Sequence, residues 1–237
     1  MSIFSKKQEV DLEDFCRDFY EKNILNPVIE GIDAGAKYFD TVRKSIVEAD
    51  QNFVDIDPKK FTAEMGLLRF ELFALAWLHQ FGDKSAVAQS VFTKRYLHEK
   101  KRDDIWDASE PYNQAIARSS TLGKTPETAS GRAHLGFINK MRVDLFKQYH
   151  KEGHDPKCVA RALNRLLTDV VWKKGITAGL LMFTLCDRLG LGSNFEPSKE
   201  AQFRLTAVIR GFYDGARQSL EKIKIKIKGI IPKVSHE

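Results

Sequence analysis

Four prolines in this chain each follow a residue suited to capping a helix: Asn26-Pro27, Asp57-Pro58, Thr125-Pro126 and Asp155-Pro156. The pairing fits a helix N-terminus. The capping side chain satisfies a free backbone N–H, and proline at the first helical position has no N–H to satisfy. Each pair predicts a helix start. Gly82 and Gly229 suit the left-handed residue just past a helix end, and Pro232 lies shortly after the second of them.

Apolar spacing fills in the rest. It predicts helices over 11–25, with Leu12, Phe15, Cys16 and Phe19 on one face, and over 27–49, with Ile29, Ile32, Phe39, Val42 and Ile46. The segment 58–81 is apolar nearly all round, the mark of a buried central helix. Further helices are expected from Ser85 towards the charged stretch 94–104, and from Trp106 to Ser119 with a break near Pro111. Three more are expected over 132–151, 156–189 and 198–228, the second of these breaking at Lys173-Lys174-Gly175. The polar residues 119–131 read as an exposed loop. No series of short alternating strands and no internal repeat is evident, so a sheet-based fold and a solenoid are both unsupported. The fold class is therefore all-α: a single-domain multi-helix bundle over 10–228 with a long basic C-terminal helix, flanked by flexible termini at 1–9 and 229–237.

A chain of 237 residues with 43% hydrophobic and 30% charged content can bury a large core without staples, and it lacks the signature of disorder. Cys16, Cys158 and Cys186 are an odd number, and Cys16 and Cys186 fall within apolar helical patterns, so no disulfide framework is expected. The N-terminus shows no signal-like apolar core, and the most apolar windows, 72–78 and 176–186, are far shorter than the roughly 20 residues a bilayer span needs. These features predict a cytoplasmic protein.

The last segment holds two conflicting patterns. Leu205, Ile209, Phe212, Ala216, Leu220, Ile223 and Ile227 keep one helix face, while Lys222 to Lys228 alternates lysine and isoleucine as a strand would. Helix is the preferred reading, because Gly229 and Pro232 form a stop signal and lysines suit the negative end of a helix. From Arg217 to Glu237 there are six basic and two acidic residues, a +4 share of the chain's net +6.

Asp103-Asp104-Ile105-Trp106-Asp107 resembles the DDxxD pattern of the terpene and prenyl diphosphate synthases, which are also all-helical. The resemblance implies Mg²⁺ held by carboxylates one turn apart, bridging a diphosphate. It spans five residues, and the second acidic motif is broken: Asn164 and Thr168 stand in its place, and its last carboxylate falls on Trp172. His150, His154 and Cys158 form a chemically reasonable zinc donor set, but the turn at Gly153 separates the histidines and the order is not HExxH. Gly123-Lys124-Thr125 imitates the end of a P-loop, yet Arg118 occupies the first glycine's position. Glu64, Arg69, Glu71 and His79 are charged or polar residues within the apolar central helix, and they read either as buried ion pairs or as a carboxylate-lined pocket.

Two functions compete. The first is a non-catalytic helical interaction protein, without cofactor, whose basic C-terminal helix, through Lys222, Lys224, Lys226 and Lys228, contacts an acidic protein or an anionic membrane surface. Nucleic acid is a weaker partner, because no aromatic follows Tyr213 for bases to stack on. The second is a Mg²⁺-dependent enzyme acting on a diphosphate through Asp103, Asp104 and Asp107. Homo-oligomerisation through the terminal helix is a third, blander role.

Overall fold

The computed structural model describes residues 8–22, 34–122, 129–166 and 172–226. The described chain opens with a short strand, β1 (Gln8–Asp11), which leads directly into α1 (Leu12–Tyr20). Asp11 caps that helix, accepting from the backbone N–H of Glu13 at 3.0 Å. Next come α2 (Ala34–Ala49), a 3₁₀ turn at Gln51–Phe53, and α3 (Pro58–Glu99). The all-α, multi-helix class expected from periodicity is the class observed.

The central position of α3 follows from its composition. Between Phe61 and Leu78 it buries Phe61, Met65, Leu68, Phe70, Leu72, Phe73, Leu75, Ala76 and Trp77 almost completely, and only Thr62, Ala63 and Arg69 are partly open to solvent. Gly82 interrupts the helix at φ 79° and ψ 177°, a backbone state that side chains disfavour. Trp77 bridges the break, its indole N–H donating to Ser85 Oγ at 3.0 Å and to the Ser85 carbonyl at 3.2 Å. Asp57 caps α3 through the Lys59 N–H at 3.1 Å, with Pro58 in the first turn. Substituting Asp57 with Ala is expected to lower stability by about 1 kcal/mol. Urea denaturation measures it, and an unchanged midpoint would mean that Pro58 alone sets the start.

Two short breaks follow. The segment expected to break or kink near Pro111 is broken at the buried Ser109, into α4 (Asp103–Ala108) and α5 (Glu110–Leu122). The expected loop over 119–131 is corrected at both ends, since α5 runs to Leu122 and α6 (Ala129–Lys151) begins at Ala129. The glycine-lysine-threonine triplet at 123–125 lies outside the described residues, as do the prolines at 27, 126 and 232 and the glycine at 229. After α6, Asp155 caps α7 (Pro156–Leu163) through the N–H groups of Lys157 at 2.8 Å and Cys158 at 3.2 Å.

The long helix expected from Pro156 stops far sooner than Lys173, at Leu163. Asn164 is drawn into tertiary bonds instead: its side chain donates to Asn113 at 2.8 Å and its carbonyl accepts from Arg142 at 3.2 Å. The predicted break at Lys173-Lys174-Gly175 is present, with Gly175 at φ 80° immediately before α8 (Ile176–Arg188). Ser198 caps α9 (Lys199–Glu221), which packs along α3 through Leu205, Ile209, Tyr213 and Leu220.

The tail corrects the sequence reading. The helix ends at Glu221, and Ile223–Lys226 forms β2, which pairs in parallel with β1: Gln8 with Ile223, Glu9 with Lys224, Val10 with Ile225 and Asp11 with Lys226. The alternating pattern wins because a partner strand is present and pairing lets both Ile223 and Ile225 turn inwards. A continued helix would leave Ile225 off the buried stripe. The expected flexible N-terminus at 1–9 is corrected too, since Gln8 and Glu9 belong to β1.

Candidate functional site

One concavity lies against α9. It has a volume of about 670 Å³ and is lined by residues of α3, α9 and the segment before α8. Helix α9 supplies Arg210, Tyr213, Asp214, Arg217, Gln218 and Glu221, spaced by three and four so that they share one face beside its apolar stripe. His79 comes from α3, and Trp172 and Lys173 from the other side.

The floor is aromatic and tightly held. Trp172 lies 4.2 Å from the Tyr213 ring, and both are buried. The Tyr213 hydroxyl is 2.6 Å from His79 Nδ1 and accepts a long bond, 3.4 Å, from Arg217 Nη1. The rim is charged: Arg217 pairs with Glu221 at 3.6 Å, and Lys173, Arg210 and Asp214 are exposed. Gly175 shapes this edge. A Cβ there would meet Arg210 Nη2 at 2.6 Å, so the glycine's bare, left-handed backbone lets the guanidinium lie close. Three cations, two carboxylates and several other polar groups therefore line one cavity.

The aspartates of the diphosphate motif do not form a metal cradle. Asp103 faces His98 Nδ1 at 3.1 Å, and Asp104 takes a two-pronged contact from Arg102, with both N–H···O distances at 2.8 Å. That contact lowers the Asp104 carboxyl below its ordinary range. Asp107 alone borders a cavity, of about 480 Å³, shared with Glu110, Lys157, Arg161 and Asn164. Of the expected second motif, Asn164 bonds Asn113, Trp172 sits in the α9 cavity, and the threonine at 168 lies outside the described residues.

His150, His154 and Cys158 are not assembled either. His150 is exposed and its ring stacks near Phe146, while His154 is buried against Tyr149 and lies 3.4 Å from Glu152. Cys158 is buried within α7, and burial pushes its thiol up to about 12. Among the described residues, no group of three or more His, Cys, Asp and Glu side chains could hold a metal ion. Cys16 and Cys186 are buried too, and burial raises both thiols, that of Cys186 to about 12.

Glu64 and Glu71 are ion pairs inside the protein. Arg188 grips Glu64 with Nε and Nη2, at 2.9 and 2.8 Å, and the Tyr112 hydroxyl donates to the same carboxylate at 2.8 Å. Glu71 is wholly buried between Arg161 of α7 and Arg165 just past its end, with Ser109 Oγ donating at 2.9 Å. Burial alone would raise the Glu71 carboxyl; the two guanidinium groups outweigh it and bring the value down to about 2. Arg161 is further committed: its guanidinium lies 4.2 Å from the Trp106 ring centre and contacts Glu110 at 3.1 Å. This cluster clamps α3, α4, α5 and α7 together, and it leaves neither Glu64 nor Glu71 open to a substrate.

On β2, Lys222, Lys224 and Lys226 are exposed, while Ile223 is buried and Ile225 is partly so. The lysine at 228 lies outside the described residues. Glu9 and Asp11 stand beside Lys224 and Lys226 in the register, and Lys226 comes to 3.9 Å of Glu9. Of the three described lysines Lys226 is thus answered by β1, and the α9 face that bears Arg210 and Arg217 together with Asp214 and Glu221 is one that sequence reasoning missed. Its signal was available: Arg210, Tyr213, Asp214, Arg217 and Glu221 follow helical spacing next to the apolar stripe. What the spacing lacked was the opposite wall, His79 and Trp172, which only the packed fold supplies. Among the described residues, no helix is long and apolar enough to cross a membrane. No family model, no curated protein and no solved structure matches the chain.

Proposed function

We propose that this chain is a non-catalytic helical interaction protein that engages an acidic protein through the basic surface running from α9 onto β2. The observation that carries the reading is the facing of β2: its isoleucines turn to the core and Lys222, Lys224 and Lys226 stay exposed. The cationic run continues the α9 face, whose Glu221 edge adjoins Lys222. Among the described residues, Lys222 and Lys224 make no ion pair, so their charge is available to a partner.

The same facing favours a protein over a bilayer. Surface-active basic segments bind lipid by burying apolar side chains beside the cations. Here Ile223 and Ile225 are spent on the core, which removes the inserting half of such a device. The diphosphate alternative receives no comparable support, since Asp103 and Asp104 are engaged by His98 and Arg102.

The test uses the full chain and a fluorescently labelled polyglutamate peptide, followed by anisotropy at low and moderate salt. Saturable binding that weakens with salt is expected, and Lys222→Glu with Lys224→Glu should reduce affinity about tenfold or more, through lost attraction and new repulsion. Both positions are exposed, so folding should survive. Peptide binding that ignores the reversal would sink the proposal, and binding to phosphatidylserine vesicles in preference to the peptide would assign the surface to a membrane instead.

A further inference from the structure

We infer that the acidic partner docks as a strand: an extended segment, with an acid at every second residue and apolar residues between, added to the free edge of β2. The inference rests on the acidic-partner reading, and it adds the mode of binding and the sequence pattern that fits.

The ladder decides which backbone groups are taken. In a parallel pair every second residue of a strand bonds to its neighbour, and the residues between turn their N–H and C=O to the other side. The Gln8 N–H donates to the Lys222 carbonyl at 3.3 Å, and Gln8 stands opposite Ile223 in the register. The bonds to β1 therefore come from Lys222, Lys224 and Lys226. Ile223 and Ile225 are left with their N–H and C=O directed at the far edge of β2. Among the described residues the sheet holds two strands, so no third strand takes those groups up. Such an edge is where extended peptides bind by strand addition, with main-chain bonds giving affinity and alternate side chains giving specificity.

Side chains choose the guest. Lys222, Lys224 and Lys226 are exposed on one face of β2, and Ile223 and Ile225 turn to the core on the other. Two copies of this edge laid together would set lysine beside lysine, so the charge guards β2 against a second copy. The same row admits an acidic strand, whose alternate carboxylates repeat in step with the lysines, about 7 Å apart. Lys226 already has Glu9 at 3.9 Å, so Lys222 and Lys224 are the cations the guest meets first. Ile225 is only partly covered, and an apolar residue at the guest's intervening position extends that cover. The outer edge of β1 is unsuited to the same guest, because Glu9 and Asp11 stand there and the strand runs straight into α1 at Leu12. An antiparallel guest is favoured, since that pairing is slightly the more stable per residue. Its apolar residues then lie opposite Ile223 and Ile225 and exchange the main-chain bonds with them.

The experiment measures, by anisotropy with the full chain, short labelled peptides in which glutamate and valine alternate. One isomer carries N-methyl groups on valines, the other carries an equal number on glutamates. Charge is the same in all, and each isomer lacks donors along one edge only. The parent peptide should bind saturably, and methylated valines should weaken it about tenfold or more through lost main-chain bonds. Methylated glutamates should leave affinity unchanged. The reverse order of the two isomers would support a strand running parallel to β2. Equal affinity for all three peptides, or an equal loss in both isomers, would overturn strand addition. Polyglutamate binding in those cases would leave the acidic-partner reading standing, whereas no binding by polyglutamate or the parent would remove both. Lys222→Glu with Lys224→Glu should weaken the parent about tenfold or more, and a variant that kept its affinity and its sensitivity to methylation would overturn the assignment to β2.

Discussion

Glu71→Ala should unfold at a markedly lower urea concentration than the native chain, with a loss of about 3–5 kcal/mol, the range for breaking a buried ion pair from one side. The size of the effect comes from what is left behind. Arg161 and Arg165 are each 3% exposed, so removing the carboxylate they share takes their common counter-ion out of the core, leaves Arg161 to Glu110 and costs Ser109 Oγ one of its acceptors. Replacing the whole set, Glu71→Leu with Arg161→Met and Arg165→Met, removes the desolvation cost together with the attraction. That triple variant should therefore recover most of the lost stability, or exceed it. Urea curves for the three proteins decide the matter, and a triple variant as weak as Glu71→Ala would mean that the hydrogen bonds to Ser109 and Asn113 matter more than the charges.

Acid should expose the same cluster. The Glu71 carboxyl is held at about 2 in the folded chain, against an ordinary 4.5. A depressed carboxylate binds protons more weakly in the folded state, so its contribution is complete above the ordinary value. It drains away as pH falls from there through about 2. The gap corresponds to about 3 kcal/mol. The native chain should lose that much more stability than the triple variant between pH 5 and pH 2, measured as the difference between their urea midpoints at each pH. Parallel pH profiles for the two would show that Glu71 is not coupled to the arginines.

The helical part of this architecture was legible because it depends on local chemistry. Asp57-Pro58 and Asp155-Pro156 start helices for reasons contained in two residues, and the all-round apolar character of 61–78 requires burial whatever surrounds it. The ends and partners were not legible. Leu163 ends α7 because Asn164 finds Asn113 and Arg142, residues distant in sequence. The fate of Lys222 to Lys226 depended on Gln8–Asp11, a segment in which Val10 is the sole strong strand former. The candidate site divides in the same way: its α9 half follows helical spacing, while His79 and Trp172 join it through packing alone.

The ribbon of β1 and β2 brings the first and last described segments together side by side and pointing the same way. During synthesis, β1 emerges first and waits for a partner made near the end, so a chain cut short before Ile223 keeps an open strand edge and an uncovered Val10. The pairing of β1 is thereby deferred until β2 has been made. Because the two strands point the same way, any link from Lys226 to Gln8 would have to run back along the ribbon, about 13 Å for four residues.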